Sequence, residues 1–277
     1  MSNLTKKNIV KFKKEGYLVL DNIISKKDIA TFEITLNSIF KSKLNYLNIK
    51  KSINIKNLNS KELINKFPKI LAKNTREELD FLIETISQSL TFVRMTNNYK
   101  IQKIVNTLFN KESNNPLYGY INRCRINLPK DNIAELDWHR EIFQTIPRAN
   151  FIQIWAPLIN DSSITNGALQ IIPRSHNANL SLPKWETNKN GVSKVFYDKE
   201  SIANKKILHM NLKLGQVLFF SGKTLHRSGN NQSKFSRFSM VGLYHDIDDP
   251  YFIPPKAQYT YRKETPKQYY QSLLNDS

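Results

Sequence analysis

Two periodicities divide the chain. Up to about residue 113, apolar residues recur every three or four positions, the spacing of helices with one buried face. Ile29, Phe32, Leu36, Ile39 and Phe40 follow Ser25-Lys26-Lys27-Asp28, a capping box with Asp in place of Glu. Thr75-Arg76-Glu77-Glu78 opens a second helix, whose stripe of Leu79, Leu82, Ile83, Ile86, Leu90 and Val93 reads as continuous. Asn97-Asn98 break it before Ile101, Ile104, Val105 and Leu108, and Tyr17–Leu20 after Gly16 reads as a short strand. Beyond Asn114-Asn115-Pro116 the period becomes two. Tyr118, Tyr120, Cys124, Ile126 and Leu128 make a mainly apolar face interrupted by Asn122, with Arg123, Arg125 and Asn127 on the other face. Further strands are expected at Phe151–Leu158, Ala168–Ile172, Asn211–Phe220 and Phe235–Tyr244, joined by turn-rich pieces such as Ser228-Gly229-Asn230-Asn231.

Short strands joined by turns predict a sandwich or jelly roll, so the expected class is mainly β with N-terminal helices (α+β). We expect one domain over residues 1–277: a helical part at 1–113, a β core at 114–250 and a tail at 251–277. The polar stretch 177–206 reads as an insertion, a lid over the core.

Composition narrows the classes. Hydrophobic residues make up 40% and charged residues 23% of the 277 positions, which excludes a disordered or collagenous chain. No apolar run reaches membrane-spanning length, and none follows the N-terminus as a secretion signal does. A single cysteine, Cys124, excludes an internal disulfide and suits the cytoplasm. The net charge of +19 raises the question of a phosphate-bearing partner. Only ten of the 42 basic residues are Arg, and the lysines are scattered without interleaved aromatics, so the charge reads as compositional and no nucleic-acid partner is expected.

Candidate chemistry centres on Asp137-Trp138-His139-Arg140-Glu141. On a strand, His139 and Glu141 project to one face and can take two adjacent positions on one metal ion. A third ligand from another strand would complete a two-histidine, one-carboxylate triad, which leaves open positions on Fe(II). His226, after the apolar run Val217–Phe220, is the natural third ligand. A His-x-acid pair is weak by itself, since roughly 0.4 such pairs arise by chance in a chain of this composition. Arg237, eleven residues after His226, shares a strand face with Ser239, and the two together suit a carboxylate. Cys124, His176, His209, His245, Trp138 and Trp185 read as packing or structural residues.

The order of these pieces resembles a known family. His139-x-Glu141, Trp155-Ala156-Pro157-Leu158, Asn166-Gly167-Ala168-Leu169…Pro173-Arg174-Ser175-His176, His226 and Arg237, with the opening Phe12-Lys13-Lys14-Glu15-Gly16-Tyr17, resemble the phytanoyl-CoA dioxygenase family over residues 8–245. The resemblance implies a double-stranded β-helix (jelly roll, cupin-like) that uses Fe(II), 2-oxoglutarate and oxygen to hydroxylate a small or medium-sized metabolite, releasing succinate and CO2. It implies that His139, Glu141 and His226 hold the metal, and that Arg237, Ser239, Trp155 and Asn127 bind the cosubstrate. Two positions depart from the family pattern. Glu141 stands where Asp is usual and is one methylene longer, and Arg174 stands where Gly is usual, at a position suited to a positive φ. Glu141 also argues against the halogenase variant, which lacks the carboxylate. Arg125, Arg140 and the 177–206 insertion are candidates for substrate contact, and the two arginines suggest an anionic group on that substrate. The alternative is a non-catalytic jelly-roll relative that binds a ligand or an anionic polymer.

Overall fold

A computed structural model describes residues 4–46, 60–74, 76–131, 136–141, 150–178, 183–187, 193–197 and 199–252. The helical part comprises α1 (Lys6–Glu15), α2 (Lys26–Tyr46), α3 (Ser60–Asn74), α4 (Arg76–Ser87), α5 (Leu90–Thr96) and α6 (Tyr99–Leu108), with β1 (Tyr17–Leu20) between α1 and α2. The first predicted capping box forms: the Asp28 N–H donates to Ser25 Oγ (3.0 Å) and the Ser25 N–H donates to Asp28 Oδ2 (3.3 Å). Thr75 of the second box lies outside the described residues. The stripe from Leu79 to Val93 is not one helix. Ser89 interrupts it: its hydroxyl donates to the Ile86 carbonyl and accepts from the Phe92 N–H, ending one helix and capping the next. Asn98 caps α6 where the Asn-Asn break was expected.

Two antiparallel sheets follow. The larger is ordered β1, β8 (Val217–Ser221), β3 (Phe151–Pro157), β10 (Arg237–Asp246), β2 (Leu117–Asn127). The smaller is β7 (Leu208–His209), β4 (Gln170–Ile171), β9 (His226–Arg227). Within the 177–206 stretch lie a hairpin, β5 (Lys184–Thr187) with β6 (Ser193–Phe196), and the short helix α7 (Lys199–Ile202). The strand expected over Asn211–Phe220 is shorter, because Gly215 turns the chain at φ 90° before β8 begins. β4 is likewise shorter than its predicted run.

The larger sheet is buried on both faces, and every residue of β10 is buried. One face, with Ile152, Ile154, Ala156, Phe219, Phe238 and Met240, packs under the helices against Phe32, Leu36, Phe40, Phe67 and Phe92. The other face, with Trp155, Leu218, Phe220, Val241 and Leu243, meets Leu169, Ile171, Met210 and Leu212 on the side of the smaller sheet. The layers are therefore helices, large sheet, small sheet, and the site lies between the two sheets. Among the described residues, no helix is long and apolar enough to cross a membrane.

β2 corrects the predicted alternation. Val241 of β10 stands opposite Arg123, but Leu243 stands opposite Tyr120, so β2 carries one extra residue there. Ile121 takes φ 51° at this bulge. The phase flips across it: Tyr118 and Tyr120 share the face of Arg123, Arg125 and Asn127, whereas Cys124 and Ile126 face the helices.

The Pro-x-Ser-His turn docks on the start of the chain. Arg174 does adopt the left-handed conformation that the family's glycine suggested, at φ 63°. Its N–H donates to the Glu15 carbonyl (2.8 Å), and its guanidinium makes a two-pronged pair with the Glu15 carboxylate at 2.8 and 3.0 Å. His176 Nε2 lies 3.0 Å from the Lys13 carbonyl. The turn thus fixes α1 against the core, which agrees with a structural reading of His176.

Candidate active site

His139 and His226 are direct antiparallel neighbours. Each donates its backbone N–H to the other's carbonyl, at 3.0 and 3.1 Å, which puts both imidazoles on one face with ring centroids 4.2 Å apart. Only His139 of the His-x-Glu pair forms a β-bridge, so the strand expected through Glu141 is a single bridge. The carboxylate still arrives: Glu141 Oε2 lies 3.5 Å from His139 Nε2 and 3.7 Å from His226 Nε2.

The tautomers follow from the backbone. A carbonyl can only accept, so each Nδ1 carries the proton: His139 Nδ1–H donates to Asp137 O (2.6 Å) and His226 Nδ1–H to Thr224 O (3.0 Å). Both Nε2 lone pairs then face Glu141. Burial pushes the His226 imidazole down to about 3, with His139 acting in the same direction, so it is neutral at pH 7. Burial pushes Glu141 up, but His139, His226 and Arg125 outweigh it and hold the carboxyl below the usual range. A buried carboxylate and two imidazoles whose Nε2 atoms point inward are the donor set of a divalent metal. The spacing fits as well, since two atoms each about 2.1 Å from one ion lie roughly 3–4 Å apart. His139, Glu141 and His226 are the group of metal-binding type among the described residues.

The triad opens on a cavity of about 720 Å³. Its opposite wall is the inner face of the large sheet, arranged in cross-strand rows: Asn127 beside Arg237, Arg125 beside Ser239, Arg123 beside Val241 and then Trp155. The Arg237 guanidinium lies over the Trp155 ring, 5.3 Å from its centroid. Ser239 is fully buried, and its Oγ has no hydrogen-bond partner among the described residues, as an empty half-site for a polar ligand would show. Seven of the expected residues are thereby brought to one cavity: the triad with Arg237, Ser239, Trp155 and Asn127. Arg125 joins them.

Arg140 does not. It is buried away from the cavity, its guanidinium donating to the carbonyls of Ser175 and Ala178 (2.9 Å to the latter), and it braces the Pro-x-Ser-His turn. The cavity also takes in residues that the sequence reading passed over: Arg76 and Asp80 of α4, Arg123 and Gln153, and Ser228 two residues after His226. Arg123 and Gln153 were legible as i±2 neighbours of named residues on their strands. The α4 residues carried no such signal.

An antiparallel two-sheet core with two histidines and a carboxylate facing a cavity between the sheets defines a protein of the jelly-roll type with a candidate metal site. A family model for phytanoyl-CoA dioxygenase matches residues 12–239, and the chain belongs to that family. A phytanoyl-CoA dioxygenase domain-containing protein 1 homolog of Caenorhabditis elegans is 25% identical over 252 residues, covering 82% of this chain and 86% of that one. The human peroxisomal phytanoyl-CoA dioxygenase is 26% identical over 141 residues, covering 48% of this chain and 40% of the human protein. Among solved structures, the fold is shared with EctD from S. alaskensis with bound Fe (TM-score 0.58, 17% identity, 91% of this chain and 80% of that one). It is shared with EvdO2 from Micromonospora carbonacea var. aurantiaca complexed with 2-oxoglutarate (TM-score 0.56, 13% identity, 92% and 97%). It is also shared with the epimerase SnoN in complex with Fe3+, alpha ketoglutarate and nogalamycin RO (TM-score 0.54, 15% identity, 90% and 86%).

Proposed function

We propose that this protein is an Fe(II)- and 2-oxoglutarate-dependent oxygenase that hydroxylates a small or medium-sized metabolite, with a double-stranded β-helix formed by its two facing sheets. The observation that carries the reading is the pair of histidines whose Nδ1 atoms are tied to backbone carbonyls while both Nε2 atoms face Glu141 Oε2 at 3.5 and 3.7 Å. His139, Glu141 and His226 hold the metal, which supplies oxygen activation coupled to oxidative decarboxylation of the cosubstrate.

The chain's own residues do the rest. Arg237, steadied against Trp155, takes the distal carboxylate of 2-oxoglutarate, and the Ser239 hydroxyl donates to the same group. Asn127, directly across from Arg237, supplies a further polar contact. The carbonyls of Asp137 and Thr224 keep the histidine protons on Nδ1, so no proton competes for the ligand nitrogens. Leu169, Phe220, Val241 and Leu243 line the cavity with apolar surface that excludes water from the reacting centre. Fe- and 2-oxoglutarate-bound neighbours of the same fold support the reading. The single cysteine, buried and unpaired, supports a cytoplasmic setting.

Anaerobic titration with Fe(II) and 2-oxoglutarate tests it. The expected result is a visible charge-transfer band at one equivalent of each, and release of succinate under oxygen. No band and no succinate at saturation would instead favour the non-catalytic relative.

A further inference from the structure

Arg123 and Arg125 are two residues apart on β2, so both project to the cavity, about 7 Å apart along the strand. Neither guanidinium has a hydrogen bond or an ion pair with a described residue, and Arg123 Nε is fully buried with no partner. Arg125 is pushed below its ordinary value by burial; Glu141 pulls the other way, and Arg123 adds to the depression. Two like charges side by side in a partly buried wall are unfavourable unless an anion compensates them. Glu141 cannot serve, because its carboxylate belongs to the triad. Gln153, buried two strands away on the same sheet wall and with no partner for its Oε1 among the described residues, adds an unused polar group.

The charge balance of the whole cavity points the same way. Among the described residues, four guanidiniums line it, from Arg76, Arg123, Arg125 and Arg237, against two carboxylates, from Asp80 and Glu141. A divalent ion and a dianionic cosubstrate would cancel each other, leaving the imbalance untouched. Asp131 neutralises Arg76 from outside. One positive charge is then in excess among the described lining residues, where Arg123 and Arg125 stand side by side.

We propose that Arg123 and Arg125 form a subsite for an anionic oxyacid group, a carboxylate or a phosphate, carried by the substrate. The subsite stands on its own geometry; that its occupant is the substrate rests on the oxygenase reading. It lies beside the cosubstrate position, since Arg125 is directly across β10 from Ser239 and Arg123 is one row further along. The two guanidiniums can hold one oxyanion from two sides, orienting the rest of the substrate toward the triad.

The test uses the full chain freed of metal with a chelator. Inorganic phosphate and acetate are titrated separately by calorimetry at constant ionic strength, into the wild type and into Arg123→Ala, Arg125→Ala, Arg237→Ala and Arg94→Ala, the last an exposed helix residue outside the cavity. The expected result is saturable binding of at least one probe, weakened about tenfold or more by each of the first two substitutions and within about twofold of wild type in Arg94→Ala, while Arg237→Ala reports any binding at the carboxylate site assigned to the cosubstrate. Arg123→Lys and Arg125→Lys, which keep the charge, should recover part of the affinity, separating recognition from misfolding. Phosphate binding more tightly than acetate assigns a phosphorylated substrate, and the reverse a carboxylated one. No saturable binding, unchanged affinity in both β2 alanine variants, or loss confined to Arg237→Ala would each overturn the proposal. Fe(II) and 2-oxoglutarate binding, read spectroscopically, should survive Arg123→Ala. If the wild type lacks that binding while the phosphate result stands, the oxygenase reading fails and the anion subsite does not.

Discussion

Acidification should destabilise this protein in part through His245. The residue is next to last on β10, fully buried, and packed against Phe151 in a tilted arrangement with ring centroids 4.8 Å apart. Tyr118 and Phe252 lie at 6.1 and 6.0 Å. Neither ring nitrogen has a hydrogen-bond partner among the described residues. Burial pushes the imidazole down to about 4, and the nearby Asp249 only partly restores it. The unfolded value is about 6.5, so between these pH values the unfolded chain binds the proton and the folded chain refuses it. The contribution to stability is therefore complete above about pH 6.5 and drains away as the pH falls toward 4. Its size is the shift of about 2.5 units at 1.36 kcal/mol each, or roughly 3 kcal/mol, a large part of the 5–15 kcal/mol typical of a domain. Phe is the substitution of choice, since the ring sits among aromatics and uses neither nitrogen. Urea unfolding of wild type and His245→Phe, with chelator present, from about pH 7.5 to about pH 4.5 is the assay. His226 and Glu141 titrate in both proteins and drop out of the difference. The variant should be at least as stable near pH 7.5, and its advantage should grow by roughly 2–3 kcal/mol by the acid end. Parallel pH profiles would refute the reasoning.

At the metal site, His139→Ala and His226→Ala should each weaken iron binding more than about a hundredfold while the fold persists, with Glu141→Asp intermediate, as metal analysis after gel filtration would show. Arg237→Ala should raise the 2-oxoglutarate requirement by the equivalent of roughly 2–5 kcal/mol and leave iron affinity unchanged, read from cosubstrate titrations. Arg140→Ala should lower stability by about 3 kcal/mol through two orphaned carbonyls, yet leave the Michaelis constants of the surviving fold as they were. Gly16→Ala should cost about 1–3 kcal/mol, because the residue sits at φ 80° and a Cβ would lie 2.3 Å from His176 Nδ1; thermal unfolding measures it.

Where one periodic signal ran without interruption, the sequence carried the fold: α2, α6, β1, β3 and β10 stand where the spacing put them. It failed where a single side chain redirected the backbone. Ser89 looks like one more polar position in a helical stripe, and only its two hydrogen bonds reveal a break. The candidate triad was legible because His139 and Glu141 keep a two-residue spacing ahead of His226, even though the extended run around His139 is one bridge long. Arg140 was misread for a related reason. A strand predicts which face a residue takes, but Arg140 leaves the ladder beside His139 and turns to the carbonyls of a distant turn. The α4 residues at the cavity mouth depend on how a helix docks across β2, a tertiary fact with no local pattern.

The bulge in β2 links these failures to the site. Both ends of β2 are pinned independently: Arg123–Asn127 pair with Arg237–Val241, and the Cys124 N–H donates to Ser87 Oγ under α4. Leu117–Tyr120 pair with Leu243–Asp246. One face must offer arginines to the cavity at one end and tyrosines to the interior around His245 at the other. The sequence alternates so that no regular strand can do both. The extra residue at Ile121 absorbs the mismatch, at the expense of a β-branched side chain with φ 51°. Gly242 makes room opposite, since a Cβ there would stand 2.7 Å from Asn122 Oδ1 and 3.0 Å from the Tyr244 hydroxyl. Removing the bulge would relieve the backbone and turn one end of the strand inside out, burying the arginines under the helices or exposing Cys124 and Ile126 to the cavity. The strain is therefore retained at the one point on the strand where it keeps the arginine pair facing the metal site.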